Sequence, residues 1–289
     1  EGFESVVSGI KSLRDSDLIN TTTLALFPSG VKAGKVYSVL PENGTGDLTV
    51  VRNTTATRVN RAGFIENVDA NVPRLNYLTA GGNSFLLVEP QDTNIAINSG
   101  NRTGWNRNVN TSPQTVDNQG IAPDGSNSAW LIPVNATGRT QSNLSVPADT
   151  TTYYWSCFVK ALSSDAIATF TNNGVFGSAG NVGISFNSTF NFSTLQYSGA
   201  VNGGVESLPN GWYRLSQVFT NNGNGNVFLS SVLASETTNG KVLFWGLDIK
   251  TTSLSSHIPT TTAAVTRNAD VITVAPPAGT VKITTTFSN

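Results

Sequence analysis

The strongest constraint on this chain is the way asparagine–glycine pairs punctuate its extended segments. Asn173-Gly174, Asn202-Gly203-Gly204, Asn210-Gly211, Asn222-Gly223-Asn224-Gly225 and Asn239-Gly240 separate runs rich in apolar, β-branched and aromatic residues. Both residue types tolerate positive φ, which tight hairpin turns require. The runs read as strands: Ser128–Val134, Tyr153–Ala161, Ala166–Thr171, Val182–Phe186, Thr194–Ser198, Trp212–Thr220, Asn226–Val232 and Val242–Lys250. Strands and turns in this rhythm predict an all-β fold, an antiparallel β-sandwich of the jelly-roll kind over residues 94–275.

Alternation along each strand sorts its side chains between two faces. In Tyr153–Ala161, Trp155, Cys157 and Val159 share one face, while Tyr154, Ser156, Phe158 and Lys160 share the other. Trp245, Leu247 and Ile249 read as a core face opposite Phe244, Gly246 and Asp248. Tyr213, Leu215 and Phe219 point to the core and leave Trp212, Arg214 and Ser216 outward. Cys157 is the single cysteine, so no disulfide forms within the chain, and its apolar surroundings mark it as a buried small hydrophobe.

The sequence ahead of the sandwich has a different texture. Phe3, Val6, Val7, Ile10 and Leu13 recur at three- to four-residue spacing, which predicts a short amphipathic helix within residues 1–20. A single short helix is marginal alone, so its stripe is expected to pack on its own domain or dock on another subunit. Residues 21–93 read as short extended pieces broken by turns such as Pro41-Glu42-Asn43-Gly44, an arm that wraps or pairs with other strands. Residues 276–289 alternate like the start of a further strand. The absence of methionine suggests a processed chain or a piece of a longer one.

Composition narrows the function classes. Charged residues make up 12% of the chain, against roughly 25% in an average soluble domain. The net charge is −1 and no basic cluster is present, so nucleic-acid binding lacks its electrostatic footprint. No run of about 18 apolar residues is present to cross a membrane as a helix. Catalysis is poorly supplied. The lone His257, without a cysteine partner beside it, cannot build a zinc site of the usual kind, and a hydrogen-bonding structural role fits it better. The acids of the sandwich, Asp117, Asp124, Asp149, Asp165, Glu206, Glu236 and Asp248, lie mostly in loops and form no evident glycosidase pair. No cofactor is expected, although Asp124, or Asp248 with the Asn94 region, offers hard oxygen atoms for a structural calcium.

Two strings resemble a known pattern. Phe85-Leu86-Leu87-Val88-Glu89-Pro90-Gln91-Asp92-Thr93-Asn94 and the stretch from Ser253 through His257-Ile258-Pro259 to Arg267-Asn268-Ala269-Asp270 look like structural joints flanking the sandwich. The pair resembles joints in bacteriophage head-fibre and tail-fibre proteins that carry a carbohydrate-module-like jelly roll. Tyr153–Ala161, Gly211-Trp212-Tyr213-Arg214-Leu215-Ser216 and Phe244-Trp245-Gly246-Leu247-Asp248-Ile249 resemble the long strands of that module. The resemblance implies a non-enzymatic virion protein on the particle surface, with sister chains in a homotrimer, other virion proteins and host-surface glycans as partners. The alternative is a glycan-binding module of a secreted bacterial adhesin or polysaccharide-acting enzyme. For glycan contact the candidate residues are Tyr154, Lys160, Trp212, Arg214 and Asp248, on the sheet face expected to be open; for assembly they are Phe3, Val6, Val7, Ile10 and Leu13.

Overall fold

The computed structural model describes residues 25–32, 34–100, 106–107, 116–132, 140–141, 144–146, 150–162, 166–171, 187–200, 202–220, 227–229, 231–234, 242–275 and 278. The expected N-terminal helix and the segment after 278 lie outside them, as do the turns at Asn173, Asn222 and Asn239 and the strand Val182–Phe186.

Two six-stranded sheets carry the fold. The front sheet runs in the order Val116–Gly120, Ala129–Ile132, Val242–Lys250, Thr152–Ala161, Tyr213–Thr220 and Gly204–Ser207. The back sheet runs Gln196–Ser198, Asn187–Asn191, Ile167–Thr171, Ser231–Ala234, Thr140–Gln141 and Asn106–Arg107. Every assigned pairing in both sheets is antiparallel. At the end of Gly204–Ser207, Asn210 and Gly211 hold φ of 70° and 76°, the left-handed turn that this dipeptide announces.

The core between the sheets is aromatic. Trp130, Tyr153, Trp155, Cys157, Val159, Phe190, Leu215, Phe244, Leu247 and Ile249 form one buried cluster. Burial raises the Cys157 thiol well above its ordinary range, which suits an inert core residue. The strand Asn187–Asn191 is not among the sequence-predicted ones, because Phe190 is its single large apolar residue. Its other inward position, Ser188, is fully buried and receives a hydrogen bond of 2.8 Å from Gln217. A polar pair bonded to itself fills space that periodicity assigns to apolar residues.

One residue changes the facing of the central strand. The register between Thr152–Ala161 and Val242–Lys250 slips between Ser156 and Phe158, opposite Gly246. Gly246 sits at φ 64°, the left-handed bulge position. An added residue flips everything after it to the other face. Phe244, Leu247 and Ile249 therefore fill the inter-sheet core, while Trp245 points to the outer face of the front sheet. This corrects the strict alternation that placed Trp245 with Leu247 and Ile249. The same bulge keeps Asp248 out of the aromatic core.

The arm is a folded cover. Hairpins Ala56–Val59 with Ile65–Val68, and Arg74–Tyr77 with Ser84–Leu87, lie along residues 52–90. Ala25–Lys32, Lys35–Leu40 and Leu48–Val51 make a four-stranded sheet with Val271–Val274. That last strand, placed in the sandwich by its position in the sequence, pairs with the arm instead, its Val271 opposite Val51. Ile65 and Val59 pack on the outer face of the front sheet against Phe158, Trp212, Trp245, Leu208 and Leu243. The middle of the front sheet is thus buried on both faces, and the nine residues Val242–Lys250 are all buried.

A side chain at 246 meets two obstacles. A Cβ there would lie 2.7 Å from Phe158 Cδ2, and the backbone conformation is strained for any L-residue. Gly246→Ala is expected to destabilise the fold by about 1–3 kcal/mol, read as a lower urea midpoint at unchanged slope; an unchanged midpoint would remove the bulge from this account.

Candidate functional site: a buried charge cluster beneath the arm

The outer face of the front sheet carries ions where its inner face carries rings. Asp248, Lys250 and His257 are each buried, and Arg214 reaches them from the neighbouring strand with its side chain 11% exposed. Asp248 lies 3.1 Å from His257 Nδ1, 3.4 Å from Lys250 Nζ and 3.6 Å from Arg214 Nη2. The His257 contact is the shortest of the three. Burial alone would raise the Asp248 carboxyl, yet His257, Lys250 and Arg214 outweigh it and hold the group well below the usual carboxylate range. Burial also lowers Lys250 to about 8, with Asp248 opposing the shift.

Asn94 joins this cluster to the entry of the sandwich. Its Nδ2 donates to Asp248 Oδ1 at 2.9 Å and to the carbonyls of Leu247 and Ile258, while its Oδ1 accepts from the Ile249 and Ala96 amides. Arg214 Nη2 and Lys250 Nζ both donate to the Ser255 carbonyl, and Lys250 also reaches that of Ser256. The closing joint is therefore folded around buried cations, which satisfy carbonyls that no strand pairs.

A second group lies next to the first. Arg52 Nη1 donates to Asp270 Oδ1 at 2.8 Å, and Arg74 Nη2 bonds the other oxygen, Oδ2. Arg74 Nη1 also binds Glu89 at 2.8 Å, and Arg267 Nη2 lies 3.5 Å from Glu89. Glu89 receives the Ser256 amide and hydroxyl at 2.6 and 2.7 Å. Burial would raise the Glu89 carboxyl, but Arg74, Arg267 and Ser256 bring it below its ordinary value. Asp92–Asn94 and Val265–Arg267 pair directly, so the chain enters and leaves the sandwich side by side. Breaking a buried ion pair typically costs about 3–5 kcal/mol, because the abandoned charge stays desolvated.

Two cavities flank His257, both touching Thr57 and Ile65 of the arm. One, of about 210 Å³, is lined by Phe85, Leu87, Phe158, Glu206 and Arg214 among others. The other, of about 320 Å³, is lined by Trp245, Thr260, Glu66, Asn67, Asp124 and Ser126 among others. The His257 ring stands 4.8 Å from that of Trp245 and edge-on to Phe158 at 5.8 Å.

The residues put forward from the sequence for glycan contact do not form one open platform. Tyr154 and Lys160 stand six positions apart on their strand, about 20 Å. Lys160 Nζ donates to the Asn210 carbonyl at 2.7 Å. Trp212 faces outward from the inter-sheet core as expected, yet it is 2% exposed beneath the arm. Asp248 has no exposed surface, and of the five only Arg214 lines either of these two cavities. Alternation read the face correctly; it had no means of showing that residues 56–68 cover it. The assembly candidates Phe3, Val6, Val7, Ile10 and Leu13 lie outside the described residues.

For calcium, Asp248 is surrounded by cationic and amide nitrogens, the reverse of an oxygen cage. Asp124 is exposed, and its Oδ1 accepts from the amide and hydroxyl of Ser126. Among the described residues, no three His, Cys, Asp or Glu side chains gather as a metal set. Glu89, Asp92, Arg267 and Asp270 all fall within the two joint strings, but their partners Arg52 and Arg74 carry no local mark. Ion pairs over 196 and 218 residues leave no spacing to read.

No family model matches the sequence, and no curated protein matches it. Among solved structures, the chain is similar to the Clostridium thermocellum N-terminal endo-1,4-beta-D-xylanase 10B, seen as its CBM22-1 and GH10 modules complexed with xylohexaose. The identity is 12% and the TM-score 0.37, over 60% of this chain and 30% of that one. The aligned part therefore spans less than a third of that protein, and a likeness so distant speaks neither to ligand nor to activity.

Two predictions follow from burial and charge. Trp212→Ala should behave as a core truncation, losing about 3–5 kcal/mol of stability in chemical denaturation; a stable variant would mean the arm does not cover the ring. Asp248 and Glu89 bind protons more weakly folded than unfolded, below ordinary values of 3.8 and 4.5. Their stabilisation is complete above those ordinary values and is lost as pH falls through them toward the folded ones. Melting temperature should fall steeply only as pH is lowered past the ordinary values of 4.5 and 3.8, and Asp248→Asn should melt lower at pH 7 but with a shallower slope in that acid range. An unchanged slope would count against the cluster.

Proposed function

We propose that this chain is a non-enzymatic structural protein of a bacteriophage particle, of the head- or tail-fibre kind. It holds a jelly-roll sandwich on the virion surface for attachment to host-surface glycans. The observation that carries the reading is the joint: Asp92–Asn94 lies against Val265–Arg267, with Arg52, Arg74, Arg267, Glu89 and Asp270 bonded across it. A pull on either side of the sandwich meets this knot first, so the load bypasses the hairpins of the sandwich. Such an arrangement suits a module mounted on a particle and exposed to shear.

The low charge content and Asn-, Thr- and Gly-rich composition support the same reading, since they keep a surface hydrated without ion pairs. The phage setting and a trimer with sister chains rest on the sequence resemblance of the joints and long strands. A secreted adhesin module would share the sandwich, but it would be released without a particle.

Purified particles from the source lysate, separated on a density gradient and probed with antibody to this chain, should contain it. A chain lacking residues 1–20 should keep the circular dichroism of the sandwich and fail to band with particles. If the full chain stays in the soluble fractions, the virion reading is lost. If the truncated chain still bands, the anchor lies elsewhere.

A further inference from the structure

We infer that the cavity of about 210 Å³ binds one 6-deoxyhexose unit of a glycan, a ring hydroxyl of which bridges Arg214 Nη1 and Glu206 Oε2. The cavity lies where the Arg74–Tyr77/Ser84–Leu87 hairpin and the closing joint meet the edge of the front sheet. The inference deepens the attachment reading above and rests on it for the source of the sugar.

Strand register builds the polar end of the site. Trp245 pairs with Phe158, Phe158 with Arg214 and Arg214 with Glu206, so the four side chains form one row across the outer face. The cover thins along this row. Trp245 and Phe158 are buried, the Arg214 side chain is 11% exposed and that of Glu206 51%. Arg214 is fixed by the bonds it already makes: Nε and Nη2 reach Ser156 Oγ at 3.2 and 3.0 Å, and Nη2 also reaches the Ser255 carbonyl at 2.6 Å. Its guanidinium carbon stands 5.8 Å from the centre of the Phe158 ring. Nη1 is left over. It lies 3.8 Å from Glu206 Oε2, beyond hydrogen-bonding distance, and among the described residues neither atom makes a hydrogen bond. The buried atoms that lack such a bond do not include Nη1, so this nitrogen keeps contact with solvent.

Two atoms 3.8 Å apart leave room for one oxygen bonded to both. That oxygen must accept from the guanidinium and donate to the carboxylate, and a hydroxyl does both. A carboxylate has no proton for Glu206, and an ammonium has no lone pair for Arg214. Each of the two bonds has a charged partner, which places them among the strong ones.

The rest of the lining selects the frame that carries this hydroxyl. Leu78 and Phe85 of the arm and Leu254 of the joint line the same cavity, and all three are exposed. Exposed apolar side chains scattered singly need no explanation, but three around one cavity, beside an open charged pair, mark a contact surface. A hydroxyl laid against them would lose its water without gaining a partner, whereas a methyl group would be stabilised. A 6-deoxyhexose carries both features on one ring, vicinal hydroxyls and a methyl group. The volume lies below the roughly 300–1,000 Å³ of drug-sized sites, which restricts the occupant to a single ring. A phenol, as in tyrosine, offers one oxygen whose lone pair is partly drawn into its ring, a poorer match to Arg214.

The test follows the Leu78 and Leu254 methyl signals of the full chain, isotopically labelled at its leucine methyls. The probes are the methyl glycosides of rhamnose and fucose, and those of their 6-hydroxyl counterparts, mannose and galactose of the same hand. At least one deoxy glycoside should shift both signals saturably, and its counterpart should bind about tenfold more weakly. Glu206→Ala alters an exposed side chain, so the amide spectrum should be preserved while binding falls about tenfold. The site is overturned if neither deoxy glycoside shifts the leucine signals, or if the counterparts bind equally well. It is equally overturned if the shift survives Glu206→Ala undiminished. Shifts produced by N-acetyltyrosinamide and by neither deoxy sugar would assign the cavity to a peptide and overturn the sugar. A chain found in purified particles that ignores both deoxy sugars would sink this site and leave the display role standing. A chain that binds them but is absent from particles would do the opposite.

Discussion

Arg52 and Arg74, both from the arm, end on one carboxylate that the chain supplies only after it has crossed the whole sandwich. Asp270 also accepts the Glu89 amide, and its own amide donates to the Glu89 carbonyl. None of these groups has water to fall back on, since Arg52, Arg74 and Asp270 have side chains at most 1% exposed. Each charge is tolerable only while the others are in place. Arm and closing joint are consequently held as one assembly, and the covered front sheet, the two cavities and the orientation of His257 all follow from it.

The covering explains why the front sheet is apolar on one face and mixed on the other. A sandwich with one wet face needs rings only between its sheets. Here Phe158, Trp212 and Trp245 form a second aromatic layer, and the hairpin at 56–68 seals it. Where that layer ends, the outer face becomes ionic, and Asp248, Lys250 and Arg214 neutralise one another while tying down the carbonyls of the closing joint. The cavities lie at this boundary between aromatic and ionic packing.

Gly246 links the fold to the cluster. By inserting one extra position, it turns Leu247 and Ile249 inward and Trp245 and Asp248 outward. Without it, the carboxylate would point into a core of tryptophan and phenylalanine, where no cation waits. The bulge is a backbone event with a chemical consequence: it determines which face of the sheet carries the charge.

Much of the sandwich was legible in the order of residues. Alternation in Tyr153–Ala161 and Tyr213–Leu215 assigned the inward side chains, and Asn210-Gly211 marked its own turn, because period-two patterning and left-handed turn geometry are local properties. Other features were beyond local reading. Asn187–Asn191 shows too few apolar residues to be recognised, and its partner Gln217 lies on another strand. The bulge at Gly246 depends on register against a neighbouring strand, and the burial of Trp212 depends on residues some 150 positions away. The amino-acid order by itself determined that this chain folds as antiparallel strands with an aromatic interior and little surface charge. The tertiary structure alone decided which face is sealed, which arginine meets which carboxylate, and that His257 is buried against Asp248. Those outcomes arise from contacts across the whole chain, and such contacts leave no periodic trace in sequence.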